Sequence, residues 1–237
     1  MEKKKNNKKK YLALLLALFV CVGGTMAWLT STSQLTNNFA IGQVTPIDPD
    51  QNGPGPDDTD IDDGGGTKLN GNLYEPSWVS GTKIYPDATI DKDPYVGIGP
   101  NSEASYAYVY VKNNMKNVYF KLEEGWEAVA AIEYNSTDPE YEVPDAYVGG
   151  LFKWSYVLGE KEAQHSNNIW TTNPLFKTVT ANKNASFKDL SNVETPTNET
   201  VYNGIEVIAF VHQAYDSKGV DLKTTADSAA KETFKIN

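Results

Sequence analysis

The chain has 237 residues, 40% hydrophobic and 22% charged, with 31 Asp+Glu against 21 basic side chains, every one of them Lys. One glutamate and six of the lysines lie in residues 1–10 and none in 11–27, which leaves 15 Lys against 30 Asp/Glu after Ala27, a net −15. A body this acidic repels phosphate backbones, which excludes nucleic acid as a partner; no G-x-G-x-x-G or P-loop spacing occurs, which excludes a dinucleotide domain.

The N-terminus has the pattern of an export signal. Lysines at 3–5 and 8–10 precede an apolar run over 11–22, YLALLLALFVCV, and small side chains at Thr25 and Ala27 follow. This pattern predicts a signal peptide over 1–27, cut by signal peptidase between Ala27 and Trp28, with delivery through the Sec route to the cell surface or the extracellular space. The twelve-residue run reaches about 18 Å as a helix, short of the roughly 30 Å of a bilayer core. Retention of this segment as an uncleaved anchor is the alternative and the chain's single route to a membrane. Cys21, the one cysteine, sits in this run. Beyond it no disulfide, thiol nucleophile or Cys-type zinc site can form. A lipidated Cys21 is disfavoured by bulky Phe19 and Val20 before it.

Residues 28–44, WLTSTSQLTNNFAIGQV, are uncharged. With Trp28, Leu29, Leu35, Phe39, Ile41 and Val44 as its apolar positions, the segment reads as an N-terminal strand. It can complete its own sheet or be donated to another subunit, and insertion beside a sheet edge buries no unpaired ion. Residues 45–66, TPIDPDQNGPGPDDTDIDDGGG, are dominated by Pro, Gly and Asp, and predict a solvated, self-repelling linker. Asp48, Asp50 and Asn52 match the opening of a calcium loop. Thr59 stands where that loop needs its bidentate Glu, so they make only a weak calcium candidate.

From residue 67 to 237 the chain reads as β. Residues 104–112 alternate strictly, with Tyr106, Tyr108 and Tyr110 on one face and Ala107, Val109 and Val111 on the other. Residues 151–158 put Phe152, Trp154, Tyr156 and Leu158 on one face. Residues 205–215 place Ile205, Val207, Ala209 and Val211 opposite Ile208, Phe210 and Ala214, a strand buried on both faces. Weaker strands fall at 116–122, 128–134 and 175–181, separated by turn signals that include Gly149-Gly150 and Asn203-Gly204. Leu222, Ala226, Ala229 or Ala230, and Phe234 recur at helical spacing, with Thr224-Thr225 as candidate caps. The expected fold is all-β: an antiparallel jelly-roll-like β-sandwich with one short C-terminal helix, preceded by a signal peptide and an acidic linker.

Catalytic signatures are absent. His165 and His212 stand far apart and form no H-E-x-x-H; His165 reads as a solvated loop residue and His212 as a satisfied sheet histidine. No G-x-S-x-G elbow occurs. No catalytic residue, resident metal or cofactor is assigned, and the protein is expected not to be an enzyme. The alternating tyrosines read as sheet packing with hydroxyls at the rim, a carbohydrate platform being the alternative.

The stretch Gly23-Gly24-Thr25-Met26-Ala27-Trp28-Leu29, followed by Phe39, Gly42 and Val44, resembles the signal and mature N-terminus of the TasA/camelysin family. These are Gram-positive secreted proteins cut by the dedicated signal peptidase SipW. Residues 81–94, GTKIYPDATIDKDP, resemble the family's glycine turn and Lys-Asp-Pro segment. Residues 104–111, 175–179 and 205–214 resemble its core strands. The resemblance implies a jelly-roll subunit of biofilm-matrix fibres whose N-terminal segment pairs with the neighbouring subunit, so self-association is the expected partnership. The 45–66 insertion departs from the family pattern. The alternatives are a monomeric surface adhesin or glycan-binding module and, since some members carry that label, a secreted metallopeptidase.

Overall fold

The computed structural model describes residues 44–54, 61, 68–79, 82, 84–136, 138–159, 165–190 and 204–236, together with the backbone of 30–32. Its spine is the pairing of the two strongest alternating segments. β6 (Ser105–Asn113) and β12 (Ile205–Gln213) run antiparallel over nine residue pairs, from Ile205↔Asn113 to Gln213↔Ser105. β9 (Tyr147–Trp154) adds to the other edge of β6, and β8 (Trp126–Glu133) to β9. β1 (Thr30–Thr32) lies against the free edge of β12, giving a five-stranded antiparallel sheet of order β1-β12-β6-β9-β8.

Two smaller antiparallel sheets accompany it. One has the order β10-β5-β3-β2, from β2 (Leu69–Asn70), β3 (Leu73–Tyr74), β5 (Tyr95–Ile98) and β10 (Ile169–Trp170). The other has the order β4-β11-β7, from β4 (Thr89–Asp91), β7 (Val118–Tyr119) and β11 (Thr178–Ala181). Val96, Ile98, Val118 and Val179 from these sheets pack with Ala107, Val109, Val111, Phe152, Ala209 and Val211 of the large sheet in one core, with Phe120 and Phe176. Each fully buried Val or Phe contributes about 1.5–3 kcal/mol of transfer free energy. The fold is therefore all-β, with the three antiparallel sheets contributing to one core.

The opposite face of the large sheet carries Tyr106, Tyr108, Leu151 and Phe210, and the C-terminal helix α2 (Lys223–Thr233) covers it. The helix presents Ala226 and Ala230, both fully buried, and Phe234 just beyond its end stacks on Tyr110 with ring centroids 4.7 Å apart. From Ala209 to Gln213 both faces of β12 are thus buried, and apolar residues persist on its two sides for that reason. A second helix, α1 (Phe187–Leu190), is a single turn.

Four local expectations differ. Gly149-Gly150 is no turn but lies inside β9, paired with Ile132 and Ala131 of β8. Gly150 has φ +114°, and a Cβ there would sit 2.4 Å from the Ala130 carbonyl, so this position requires glycine. The strand expected at 151–158 starts earlier and stops at Trp154, leaving Tyr156 outside it and 63% exposed. Thr224 and Thr225 fall within α2 rather than capping it, and the Asp221 carboxylate receives the Lys223 N–H at 2.7 Å instead. Residues 45–53 of the expected linker are packed on the body. Among the described residues no helix is long and apolar enough to cross a membrane.

Candidate assembly edge and the strap behind it

β12 is the second strand of the large sheet, and the N-terminal segment lies outside it as the border strand. Thr30, Ser31 and Thr32 pair with His212, Val211 and Phe210 in antiparallel register. Of the expected assembly positions, Trp28, Leu29, Leu35, Phe39 and Ile41 lie outside the described residues, as do Ala27 and the whole leader. Val44 is described: half-buried, it packs against the main core.

Behind Val44 the chain is fastened down. Thr45 donates from its N–H to Ser102 Oγ (2.8 Å) and from its hydroxyl to the Pro100 carbonyl (2.9 Å), while its own carbonyl accepts from Gly99 N (3.0 Å) and Asn72 Nδ2 (3.1 Å). Ile47 is 5% exposed and its N–H bonds to the Gly71 carbonyl. Asp48 and Asn168 exchange two bonds of 2.8 Å, and Gln51 reaches Ser166 and Asn168. A Cβ at Gly99 would lie 1.8 Å from the Pro46 carbonyl, so glycine is what lets the strap approach. The linker reading of 45–53 is corrected accordingly. Composition counts the apolar area that a segment brings. Here one isoleucine and a ladder of backbone bonds to conveniently placed amides hold a segment poor in apolar area.

The same strap uses the calcium candidates in another way. Asp48 Oδ1 accepts from Asp50 N and Oδ2 from Gln51 Nε2, both at 3.0 Å, closing a turn. Asn52 is exposed beside them. Among the described residues no three His, Cys, Asp or Glu side chains converge where a metal ion could be held. His165, expected in solvent, is 3% exposed. Its Nδ1 lies 2.6 Å from the Asn167 carbonyl and its Nε2 3.2 Å from that of Ser102, so it knits the loop before β6 to the loop before β10. Its flanking Lys, Glu and Gln masked that role, because burial here comes from a distant loop. His212 is a buried sheet histidine with Nδ1 on the Gln213 carbonyl, and burial holds its pKa below the ordinary value.

Two charged clusters are built into the body. Under α2, Asp227 Oδ1 accepts from Lys153 Nζ (2.7 Å) and Tyr108 Oη (2.5 Å), while Asp221 accepts from Tyr106 Oη (2.7 Å). Burial works against the Asp227 charge, yet the Lys153 and Tyr108 hydrogen bonds outweigh it and hold its carboxyl below the usual range. Burial first, then these carboxylates, push both tyrosine hydroxyls well above their ordinary pKa. Tyr106 and Tyr108 are therefore packing residues with their hydroxyls tied at the helix rim, and neither ring is open to a ligand. In the second cluster Lys92 Nζ stands 2.8 Å from both Glu75 oxygens, hydrogen-bonded to Oε2, with the Trp78 ring 4.5 Å away. Burial pushes the Glu75 carboxyl up in spite of that lysine, and pushes Asp93 up against two hydrogen bonds from Ser77.

No family model, no curated protein and no solved structure matches this chain.

Proposed function

We propose that this protein is a non-enzymatic, secreted structural subunit that assembles into extracellular fibres by passing its N-terminal strand to the sheet of a neighbour. In this reading the leader 1–27 is removed between Ala27 and Trp28 during export, and the body is a jelly roll of the TasA/camelysin kind. The observation that carries it is the attachment of β1 to the border of the large sheet beside β12. Every copy carries the same border, so the backbone bonds made within one molecule can be remade between two.

The strap sets the geometry. With 44–53 fastened to its own body, the exchangeable arm is residues 28–43, which spans about 55 Å when extended. Donation to a second copy is head-to-tail, and such a contact grows a filament unless its rotation closes a ring. Within one molecule the arm competes at a high effective concentration, so assembly should set in steeply with protein concentration.

The test is removal of residues 28–43, which stops short of the half-buried Val44. The shortened chain should remain a folded monomer and form no fibres by electron microscopy under conditions where the chain starting at Trp28 does. Fibres of unchanged form and yield would refute the reading.

A further inference from the structure

Trp170 of β10 stands between two grooves. One, of about 480 Å³, is walled by Trp170, Tyr156, Glu124, Thr172 and Asn173 among others. The other, of about 370 Å³, is lined by Gln51–Gly53 of the strap, Asn167, Asn168 and the same Trp170. Both volumes fall in the range of small-ligand sites. Sharing one indole, they read as adjoining subsites of a single cleft.

The lining names the ligand chemistry. Among the described residues neither groove is lined by a Lys or a His, and Glu124 is the one charged side chain lining them. In a body of net −15 an anionic chain meets no counter-charge among the described lining residues. What the cleft offers is aromatic surface and neutral hydrogen-bonding groups. Tyr156 is 63% exposed, with its ring set against Trp154 at a centroid distance of 5.4 Å. The Trp170 ring is seated on Gly97, where a Cβ would lie 2.5 Å from it, and against Tyr74 at 5.8 Å. Its Nε1 is buried and has no hydrogen-bond partner among the described residues. Such an orphan donor is rare in native proteins. Asn173 spends its Nδ2 on the Glu124 carbonyl and keeps Oδ1 for another donor. The Asn167 side chain, exposed at the far end, is committed to no described residue.

Flat, pre-seated rings flanked by amides and hydroxyls match the two surfaces of a pyranose, whose C–H faces stack on aromatic rings while its rim hydroxyls take and give hydrogen bonds. We propose that the double groove centred on Trp170 binds a neutral polysaccharide, with Tyr156 stacking one sugar unit and Asn167 contacting a unit on the other side of Trp170. Because Gln51–Gly53 form a wall, the site exists only with the strap docked. The site is independent of fibre formation.

The test is affinity electrophoresis of the chain starting at Trp28 in native gels containing a neutral glucan, mannan, galactan or soluble chitosaccharide. An anionic polymer and a proline-rich peptide serve as competitors. Tyr156→Ala and Asn167→Ala remove exposed side chains and should keep the wild-type circular dichroism spectrum. At least one neutral polymer should retard the protein, undiminished in about 0.5 M salt where ionic contacts are screened. Tyr156→Ala should weaken that retardation about ten-fold, the loss of roughly 1.4 kcal/mol, and Asn167→Ala should weaken it measurably. Retardation by none of the neutral polymers, retardation equal in Tyr156→Ala, loss of binding in salt, or displacement by the proline-rich peptide would each overturn the proposal.

Discussion

A covalent lock on β1 separates strand exchange from every mode of assembly that leaves the strand at home. Ser31 and Val211 are register partners across β1 and β12, and Cα atoms of antiparallel partners lie about 4.5–5.5 Å apart, within the 4.4–6.8 Å a disulfide spans. The chain from Trp28 on has no cysteine of its own, so Ser31→Cys with Val211→Cys offers one pairing within a molecule. A bridge from 31 to 211 closes a loop of more than 100 residues and should stabilise the fold by about 5 kcal/mol in the chain-entropy account. Val211 is fully buried, and its replacement by Cys gives back about 1 kcal/mol. The net gain of about 4 kcal/mol corresponds to a rise in Tm of about 8–16 °C for a chain of this size. Non-reducing gels report the bridge, circular dichroism melts with and without reductant report the Tm shift, and electron microscopy reports fibres. The oxidised protein should melt higher and stay monomeric, and reductant should reverse both. Oxidised, fully bridged protein that grows fibres as fast as the reduced form would sink strand exchange; failure to bridge at all would refute the register.

Removing the Asp227 carboxylate with Asp227→Ala strands the Lys153 ammonium, whose side chain is 4% exposed. The expected cost is about 3 kcal/mol, at the low end for a broken buried pair because Asp227 is one-third exposed and the Tyr106 and Tyr108 rings remain near the cation. Adding Lys153→Met should recover most of that cost in urea titrations, and a double variant as weak as the single would refute the account. His212 holds its pKa down by burial, so its contribution to stability is present above its ordinary value near 6.5 and is lost as pH falls through its lowered folded value. Glu75 and Asp93, with raised values, act in the opposite sense: their contribution is present at low pH and lost as pH rises. The comparison is therefore between wild type and His212→Gln. From pH 7 to pH 5 the wild type should lose more stability than the variant, and equal slopes would refute the burial argument.

The strands β6 and β12, the apolar character of both faces of β12 and the helix near the C-terminus were legible from residue order, whereas the pairing of β6 with β12 was not. Each legible feature is written in a short-range period, two residues for Tyr106 to Tyr110 and Val207 to Val211, and three to four for Leu222 to Phe234. The orientation of those faces was not legible. Tyr106 and Tyr108 could have lined a surface, and α2 hides them because Asp221 and Asp227, more than a hundred residues away in sequence, meet their hydroxyls. Residues 45–53 are the sharper case. Their own composition predicts a solvated tether, and they are held instead by Ser102, Asn72 and Asn168, polar side chains whose value as partners exists only once β3, β5 and β10 have brought them together. Periodicity reports how a segment meets a generic apolar layer, and it did so correctly for β6 and β12 while placing β9 four residues late. Hydrogen-bond complementarity between two irregular segments leaves no period in either one. The strap, the buried His165 and the cleft around Trp170 accordingly emerged only from the folded chain.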